Sequence, residues 1–520
     1  MAENKRDALL IAALTAAALA LRLAYRIDYD EDIDALRFAL GVERFDVAEL
    51  RPHAPYYPVF IAAAKVFAWM GASPRGALGL VCAIAGALLV PATALLAREV
   101  AGARERRLTF HLAGALAVVS PFLWLSSEKL TSDMPGAALT TGALWLCARA
   151  RRLETDGDAA RARAHRTIAL LLLGLGLGVR LSYFPIAIAC WIGIAHREGG
   201  LRALAARGRD LAVGVLVWLV PLVVAVPARE LVGTTVMQGA GHFTRWGGTA
   251  LTVSSPFERL RGAVWGLWAN VLGGAWPDAP GWRWIAAPAL VLFLALAVQR
   301  AAADRGRIWG VGFAKAFRAQ PELWASALAY FVWALLGQNT VYKPRHWLPL
   351  APLLVIAVAS GASSLISHAR ERWGDRSRVW VAIPAAVLFT QWLIDGASLA
   401  RAHVAPSPAA ALVGFLAQSR GDAHKSVVTA DLARMIAEGA PSQKVVRAKS
   451  PAEVAPLVLA EAERGALITT EAFTPEARAD LAQRGYRLRV VFAAPRSRYV
   501  DSLWTELALI EAEPPLRPSP

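Results

Sequence analysis

The sequence contains a dense group of carboxylates near its N-terminus. Asp28, Asp30, Glu31, Asp32 and Asp34 fall within seven residues, so their like charges repel one another unless they serve a purpose. A carboxylate can deprotonate a hydroxyl or amine that attacks a substrate, and it can hold a divalent cation that neutralises a leaving phosphate. We therefore take this segment as a candidate acid–base or cation site, with a solvated acidic loop as the alternative.

A turn rich in proline and aromatic residues follows at Arg51-Pro-His-Ala-Pro-Tyr-Tyr-Pro58. The prolines restrict the backbone. The side chains of His53, Tyr56 and Tyr57 can stack on a sugar ring or support a lipid head group. A rigid turn within an interfacial aromatic belt is the alternative.

Charged side chains stand next to apolar segments further along the chain. Arg180 interrupts one such segment, while Lys343, Arg345 and His346 precede another. A charge at membrane depth is costly without a partner. Phosphate is the natural partner, because Arg can bind it through two hydrogen bonds and Lys adds a compact charge. Snorkelling cations at a helix end are the alternative, and Asp133, which begins a further apolar helix, is either a helix cap or an acidic site residue.

The composition places these residues in a membrane protein. The chain has 520 residues, of which 56% are hydrophobic, with 19 Trp and a mean hydropathy of +0.40, outside the usual range of soluble domains. Apolar stretches long enough to cross ~30 Å of hydrocarbon recur over roughly the first four hundred residues and then stop. We therefore expect a transmembrane domain over residues 1–399 and a soluble domain over residues 400–520.

The distribution of positive charge indicates topology. The formal net charge is +16, and basic residues concentrate in connections between apolar segments, at 98–107, 151–166, 300–318 and 370–378. This is the positive-inside pattern, so the excess charge marks cytoplasmic connections and not a nucleic-acid partner.

Alternation of sides then assigns the crossings, about eleven in all. The expected spans are 8–25, 76–97, 109–126, 133–149, a broken pair within 167–196, 211–228, 284–299, 322–337, 347–366 and 379–396. Residues 56–70 would reverse the sidedness if they crossed, so we expect an interfacial helix there. The N-terminus is then cytoplasmic, and the loops 26–75 and 229–283 lie outside together with the C-terminal domain.

The broken pair within 167–196 is required because both of its flanks are basic. It places Arg180 near the tip of a hairpin. The Gly174-x-Gly-x-Gly178 run and Pro185 are expected to allow bending at this point.

From residue 400 onwards, short strand-like runs alternate with helical segments. The runs are Ser426–Thr429, Gly465–Thr470 and Arg487–Phe492, and the helical segments are 451–463 and 475–484. This alternation predicts a compact α/β module.

Several of these segments resemble the motifs of one enzyme superfamily. Asp34-Ala-Leu-Arg-Phe-Ala-Leu-Gly41 and Pro52-His-Ala-Pro-Tyr-Tyr-Pro-Val-Phe-Ile61 resemble the first outer loop of GT-C glycosyltransferases related to protein O-mannosyltransferases and the aminoarabinose transferase of lipid A. The chain departs from their PHPPGYP-like run at Ala54 and Tyr56. Ser132-Asp-Met-Pro135 is similar to the family's acidic motif after the third helix, and Arg345-His-Trp-Leu-Pro-Leu-Ala-Pro352 is similar to its late RYxLPxxP segment.

The resemblance implies a GT-C-like membrane fold, a polyprenyl-phosphate-linked sugar donor and inversion at the anomeric carbon. By the motif match, Asp34 is the general base and Asp133 assists the acceptor or a metal. Lys343 and Arg345 bind the donor phosphate, with Arg180 as a further candidate. The other expected substrate-binding residues are His53, Tyr56, Tyr57, Asp30, Glu31 and His346.

Two other functions stay open: a transporter or flippase of lipid-linked sugars, and a ligase or polymerase of surface polysaccharide. The expected acceptor is a protein, a lipid or a glycan. The cysteines lie in apolar segments without zinc-ligand spacing, and the sequence requires no cofactor but leaves room for Mg²⁺ or Mn²⁺. The Ala-, Arg- and Gly-rich composition is typical of GC-rich bacteria, which predicts a bacterial inner membrane protein with an extracytoplasmic active site.

Overall fold

A computed structural model describes residues 2–246, 248–252, 255–277, 279–302, 317–341, 343–374, 376–419, 425–449, 453–460, 466–500 and 505–515. Most of the predicted basic connection 300–318 lies outside the described residues. So do Gly465 and parts of the predicted helical segment 451–463.

The chain folds as two compact units. The first unit contains Met1–Ile27 and Leu40–Ala402, and the second contains Asp28–Ala39 and His403–Pro520. The acidic segment near the N-terminus therefore belongs to the unit that is formed mainly by the end of the chain.

Helices dominate the chain up to residue 404. In chain order they are α1 (Ala2–Ala24), α2 (Ile33–Glu43), α3 (Pro58–Trp69), α4 (Pro74–Val100), α5 (Arg106–Val119), α6 (Pro121–Ser126), α7 (Asp133–Thr155), α8 (Ala159–Val179), α9 (Phe184–Arg197), α10 (Leu201–Ala225), α11 (Ala228–Gly241), α12 (Pro256–Trp265), α13 (Ala287–Ala302), α14 (Pro321–Gly337), α15 (Ala351–Trp373) and α16 (Ser377–Val404). Short 3-10 turns form at Leu181–Tyr183, Gly281–Trp284 and Pro344–Leu350, and π-helical turns form at His242–Trp246 and Gly266–Val271.

Seven described helical segments are long and apolar enough to cross a membrane. They are Lys5–Ala24, Pro74–Val100, Ala159–Val179, Leu201–Ala225, Gly281–Ala301, Pro344–Trp373 and Val379–Gln418. The protein is therefore a multi-pass membrane protein, but the count of 11 crossings is not confirmed. The other expected crossings coincide with the shorter helices α5, α9 and α14, or with α7, whose second half carries several arginines.

The segment predicted as an interfacial helix forms α3. Its 12 residues are apolar on average, but at a rise of about 1.5 Å per residue they cannot cross ~30 Å of hydrocarbon. Trp69 and Met70 at its end are 88% and 70% exposed, as expected for apolar side chains that face lipid or its interface.

The predicted break within 167–196 lies at Arg180. The helix α8 ends directly before this residue, whose backbone is extended, and α9 begins four residues later. The glycine run that we expected to bend stays helical. Gly174 instead lets α8 approach α10, because a Cβ at Gly174 would lie 2.3 Å from the carbonyl oxygen of Leu211. Small residues commonly permit such close helix packing in membranes.

The second unit contains a five-stranded mixed sheet, so the predicted small C-terminal domain with a sheet is confirmed. Its elements are α17 (Pro408–Gln418), β1 (Ser426–Thr429), α18 (Ala433–Gly439), β2 (Lys444–Arg447), α19 (Val454–Ala460), β3 (Ala466–Thr469), α20 (Pro475–Gln483), β4 (Arg487–Pro495) and β5 (Glu506–Glu513). The strand order is β2-β1-β3-β5-β4, with β1 parallel to β2 and β3, and with β5 antiparallel to β3 and β4. β1 and β3 are buried along their whole length, as expected for the inner strands of a sheet that is covered on both faces.

Candidate functional site

A carboxylate and two guanidinium groups meet in the interior of the first unit. Oδ1 of Asp133 lies 3.0 Å from Nε of Arg180, and its Oδ2 lies 3.8 Å from Nε of Arg345. Asp133 is 1% exposed and Arg180 is 8% exposed. Charges at this depth require partners, so the three side chains form one electrostatic group.

Asp133 does not act as a simple helix cap. It is the first residue of α7, where the helix dipole favours an anion. Neither of its carboxylate oxygens makes a directed hydrogen bond to any described residue. The carboxylate therefore pairs with the two guanidinium groups by charge.

The break between α8 and α9 positions Arg180. Its Nη1 donates to Oγ of Ser132 at 3.1 Å, and its Nη2 donates to Nδ1 of His346 at 3.3 Å. Because arginine can only donate, Nδ1 of His346 is the acceptor, which places the proton of a neutral ring on Nε2. The guanidinium group thus links the start of α7 to the 3-10 turn Pro344–Leu350.

Gly136 allows the break to approach α7 closely. The Tyr183 hydroxyl donates to the carbonyl oxygen of Asp133 at 3.1 Å. A Cβ at Gly136 would lie 2.9 Å from Cε2 of Tyr183 and 3.2 Å from Cβ of Arg180. A side chain here would therefore push Arg180 away from Asp133.

The turn Pro344–Leu350 brings further cations to this place. Tyr330 of α14 donates its hydroxyl to the carbonyl oxygen of His346 at 2.8 Å, which fixes the turn. Lys343 directly precedes the turn and acts electrostatically on the buried His346, as Arg180 and Arg345 do. We call the following residues the cation cluster: Asp133, Arg180, Lys343, Arg345 and His346.

The proline-rich turn is buried and hydrogen-bonded. His53, Tyr56 and Tyr57 are 9%, 5% and 8% exposed. The Tyr56 hydroxyl donates to a backbone carbonyl of α11 and lies 2.8 Å from Oγ1 of Thr235. Burial raises the pKa of the Tyr56 phenol, although its hydrogen bond to Thr235 opposes this shift. The Tyr57 hydroxyl lies 3.2 Å from Nε2 of His53, and Tyr57 interacts electrostatically with Arg180.

Tyr56 occupies the position at which the resembling motif has glycine. Its φ is 71° and that of Tyr57 is 50°, in the left-handed region that glycine adopts without a steric penalty. A non-glycine residue costs roughly 1–2 kcal/mol there. The two hydrogen-bond contacts of the Tyr56 hydroxyl to α11 offset part of this cost.

The acidic residues near the N-terminus have different environments within the second unit. Oδ1 of Asp32 accepts hydrogen bonds from the backbone N–H groups of Asp34 and of the next residue, both at 3.0 Å, so Asp32 caps α2. Glu31 is 6% exposed and lies 3.3 Å from Nε2 of His403. Asp30 and Asp34 are partly buried, and Asp34 lies in the first turn of α2. These residues belong to the second unit, whereas the cation cluster belongs to the first.

The described residues contain no group of three or more His, Cys, Asp or Glu side chains that could hold a metal ion.

Several residues of the site were not identified from the sequence. Ser132, Tyr183 and Tyr330 act through contacts between distant segments. Arg22 is a further buried cation that the sequence could have indicated, because an Arg within an apolar helix is an intramembrane charge. It is fully buried in α1, and its Nε donates to Oγ of Ser127 at 3.2 Å.

Solved structures share the overall architecture. The oligosaccharyltransferase of Archaeoglobus fulgidus in the apo form is 16% identical, with a TM-score of 0.54 over 89% of this chain and 69% of that chain. ArnT from Cupriavidus metallidurans bound to undecaprenyl phosphate is 14% identical, with a TM-score of 0.51 over 97% of each chain. Both are GT-C glycosyltransferases. This chain has the GT-C fold.

The GT-C fold predicted from the sequence motifs is therefore confirmed. A further structure with this fold is AglB from Archaeoglobus fulgidus in complex with an inhibitory peptide and a dolichol-phosphate, 14% identical over 94% of this chain and 73% of that chain, with a TM-score of 0.54. No protein-family model and no curated protein matches the chain. The likeness is thus one of fold, and function must be argued from the site.

Proposed function

We propose that this protein is a membrane glycosyltransferase that uses a polyprenyl-phosphate-linked sugar donor. The observation that carries the proposal is the convergence of Arg180, Lys343 and Arg345 beside Asp133 and His346 in a chain with the GT-C fold. Guanidinium and ammonium groups suit a lipid phosphate. Two similar structures support this ligand class, because they hold undecaprenyl phosphate and a dolichol-phosphate.

In this proposal, Arg345 and Lys343 bind the phosphate of the donor, and Arg180 supports them. Negative charge grows on the phosphate as the sugar leaves. Cations that are already held in place stabilise this charge more than they stabilise the bound donor, which lowers the barrier. Asp133 keeps the two guanidinium groups oriented, since it lies 3.0 Å and 3.8 Å from them.

Asp34 is the proposed general base. An acceptor oxygen or nitrogen attacks the anomeric carbon, and its proton passes to the Asp34 carboxylate. The bond between the anomeric carbon and the phosphate oxygen breaks, and its electron pair leaves with the polyprenyl phosphate. Attack opposite to the leaving group inverts the anomeric carbon.

The remaining expected site residues fall into two proposed groups. His346, Asp30 and the His53–Tyr57 pair are proposed to contact the substrates directly. Tyr56 and Glu31 are proposed to shape the site, because Tyr56 is hydrogen-bonded to α11 and Glu31 is paired with His403.

The proposed location is the bacterial inner membrane, with the N-terminus in the cytoplasm and the active face and C-terminal domain outside. The basic connections support this orientation. The acceptor is proposed to be a protein, a lipid or a glycan. One similar structure carries a tethered acceptor peptide with the NVT sequon, so a peptide is the first acceptor to test.

The test is sugar transfer by the purified full-length protein from a labelled polyprenyl-phosphate sugar. Wild type is compared with Asp34→Asn and with Asp28→Asn, the matched control, because Asp28 is an exposed carboxylate of the same segment. We expect transfer by wild type and Asp28→Asn, and a loss of about 10²-fold or more in Asp34→Asn. Equal activity of all three would refute the role of Asp34. Movement of the lipid-linked sugar across the membrane of reconstituted vesicles, without any sugar transfer, would identify a flippase instead.

A further inference from the structure

The acidic segment is attached to residues from the far end of the chain. The Tyr29 hydroxyl donates to the carbonyl oxygen of His403 at 2.5 Å, and Oγ of Ser407 donates to the carbonyl oxygen of Glu31 at 3.0 Å. The His403 ring also meets the Tyr29 ring edge-on, with centroids 6.3 Å apart. All of these residues belong to the second unit.

Arg496 completes this arrangement. It directly follows β4, and its Nη2 donates to the Tyr29 hydroxyl at 2.9 Å and to the carbonyl oxygen of His403 at 3.3 Å. Its Nη1 lies 4.0 Å from Oε1 of Glu31, and its Cζ lies 6.0 Å from the centre of the Tyr29 ring. We call Tyr29, Glu31, His403, Ser407 and Arg496 the Arg496 clamp.

The clamp is built from buried charged groups. The side chains of His403, Arg496 and Glu31 are 0%, 6% and 7% exposed. Removing such groups from water is costly, and apolar packing often gives equal stability. The charged groups instead fix an orientation, because the planar guanidinium group holds the hydroxyl and the carbonyl that it binds in a defined geometry.

The clamp acts immediately before the helix that carries Asp34. It holds the chain at Tyr29 and Glu31, and Asp32 then caps α2 through hydrogen bonds at 3.0 Å. Arg496 therefore contacts the segment that leads directly into the first turn of α2, where Asp34 lies.

We propose that Arg496 is a positioning residue for sugar transfer, which holds the start of α2 so that Asp34 can accept the proton of the acceptor. This inference rests on the proposed function. It gives the part of the chain after residue 403 a role in catalysis that requires no contact with the substrate.

The experiment measures hydrogen–deuterium exchange over residues 29–36 together with kcat and KM in the full-length protein. The variants are Arg496→Ala, Arg496→Lys and Tyr29→Phe, which removes only the hydroxyl. The matched control is Arg489→Ala, because Arg489 lies on β4 and is also ion-paired within the second unit, with Glu511.

We expect exchange to accelerate about tenfold in Arg496→Ala, with kcat reduced about tenfold and KM for the donor within about twofold of wild type. Tyr29→Phe should show a smaller change, and Arg496→Lys should regain part of kcat. Arg489→Ala should match wild type in both measurements.

An unchanged exchange rate over residues 29–36 in Arg496→Ala would refute the claim that the Arg496 clamp holds this segment. Faster exchange with unchanged kcat, or an equal effect of Arg489→Ala, overturns the positioning role. A wild type that transfers no sugar refutes the proposed function and with it the positioning role, so the two failures are distinguishable.

Discussion

Nε of Arg180 and Oδ1 of Asp133 lie 3.0 Å apart where the break between α8 and α9 meets the start of α7. Both side chains are buried, with 9% and 2% exposure, so solvent screens their interaction little. Ser132 and His346 hold the other nitrogens of the guanidinium group. These contacts therefore hold the Arg180 guanidinium group in one orientation before an anionic ligand binds.

Removing the charge of Asp133 should make the protein dependent on an anionic ligand for stability. In Asp133→Asn, Arg180 stays buried but loses the carboxylate that pairs with it. Breaking a buried ion pair lowers the free energy of unfolding by about 3 kcal/mol. A bound polyprenyl phosphate would supply a new anion. We expect a lower unfolding temperature for Asp133→Asn, and a larger upward shift than in wild type when polyprenyl phosphate is added.

Asp395→Asn is the control for this measurement. Asp395 is also buried and lies 3.4 Å from Arg283, within the first unit. Its loss should destabilise the protein without increasing the response to the lipid. Equal shifts of the unfolding temperature in the two variants on addition of polyprenyl phosphate would show that Asp133 and Arg180 form an ordinary structural ion pair.

Gly136→Ala should impair both stability and transfer. The added Cβ would overlap Tyr183 and crowd Arg180, at 2.9 Å and 3.2 Å, and such overpacking costs about 1–3 kcal/mol. Gly142 lies in the same helix with open space around it, so Gly142→Ala should be neutral or slightly stabilising. Thermal unfolding and transfer rates of the two variants check this, and an equally active and stable Gly136→Ala would exclude the close contact.

Tyr56→Phe should loosen α11. The variant keeps the ring but loses the hydroxyl contacts to Thr235 and to a carbonyl of α11, each worth about 1 kcal/mol. Hydrogen exchange of residues 228–241 should therefore accelerate. Tyr25→Phe, a change on an aromatic residue that packs against Trp124, should leave that exchange unchanged. If the backbone amides of α11 exchange at the wild-type rate in Tyr56→Phe, the hydroxyl contacts of Tyr56 do not stabilise α11.

The sidedness derived from the basic connections predicts a labelling pattern. Single cysteines in place of Asp34 and Lys343 should react with a membrane-impermeant maleimide from the same, outer side. A cysteine in place of Arg104, in a predicted cytoplasmic connection, should react only after the membrane is permeabilised. Labelling of Asp34→Cys and Lys343→Cys from opposite sides would exclude a shared site.

The sequence predicted the elements whose signals are local. The helix α3, the break at Arg180 and the strands β1, β3 and β4 follow from apolar runs and charge placement. The strands β2 and β5 were missed, because Lys444–Arg447 has only two apolar residues between charged ends and Glu506–Glu513 carries acidic residues within its run. Pairing with neighbouring strands stabilises these sequences, and such pairing has no local signal.

The candidate site could be predicted only in part. Asp133, Arg180 and Arg345 carry their own signal, since charges beside apolar helices need partners. The linking residues Ser132 and Tyr183 are ordinary polar residues whose roles arise only when α7 meets the break. Glu31 shows the opposite case, because its place in a dense acidic run gave no sign that it would be buried against His403.

Binding of polyprenyl phosphate to the purified full-length protein tests the central claim most directly, namely that the cation cluster is a lipid-phosphate site. Arg345→Ala should raise the dissociation constant roughly 30-fold, equivalent to about 2 kcal/mol for lost charge-assisted hydrogen bonds. Arg209→Ala, which removes an arginine whose side chain is 78% exposed, should bind like wild type. Equal dissociation constants for wild type, Arg345→Ala and Arg209→Ala would contradict the account.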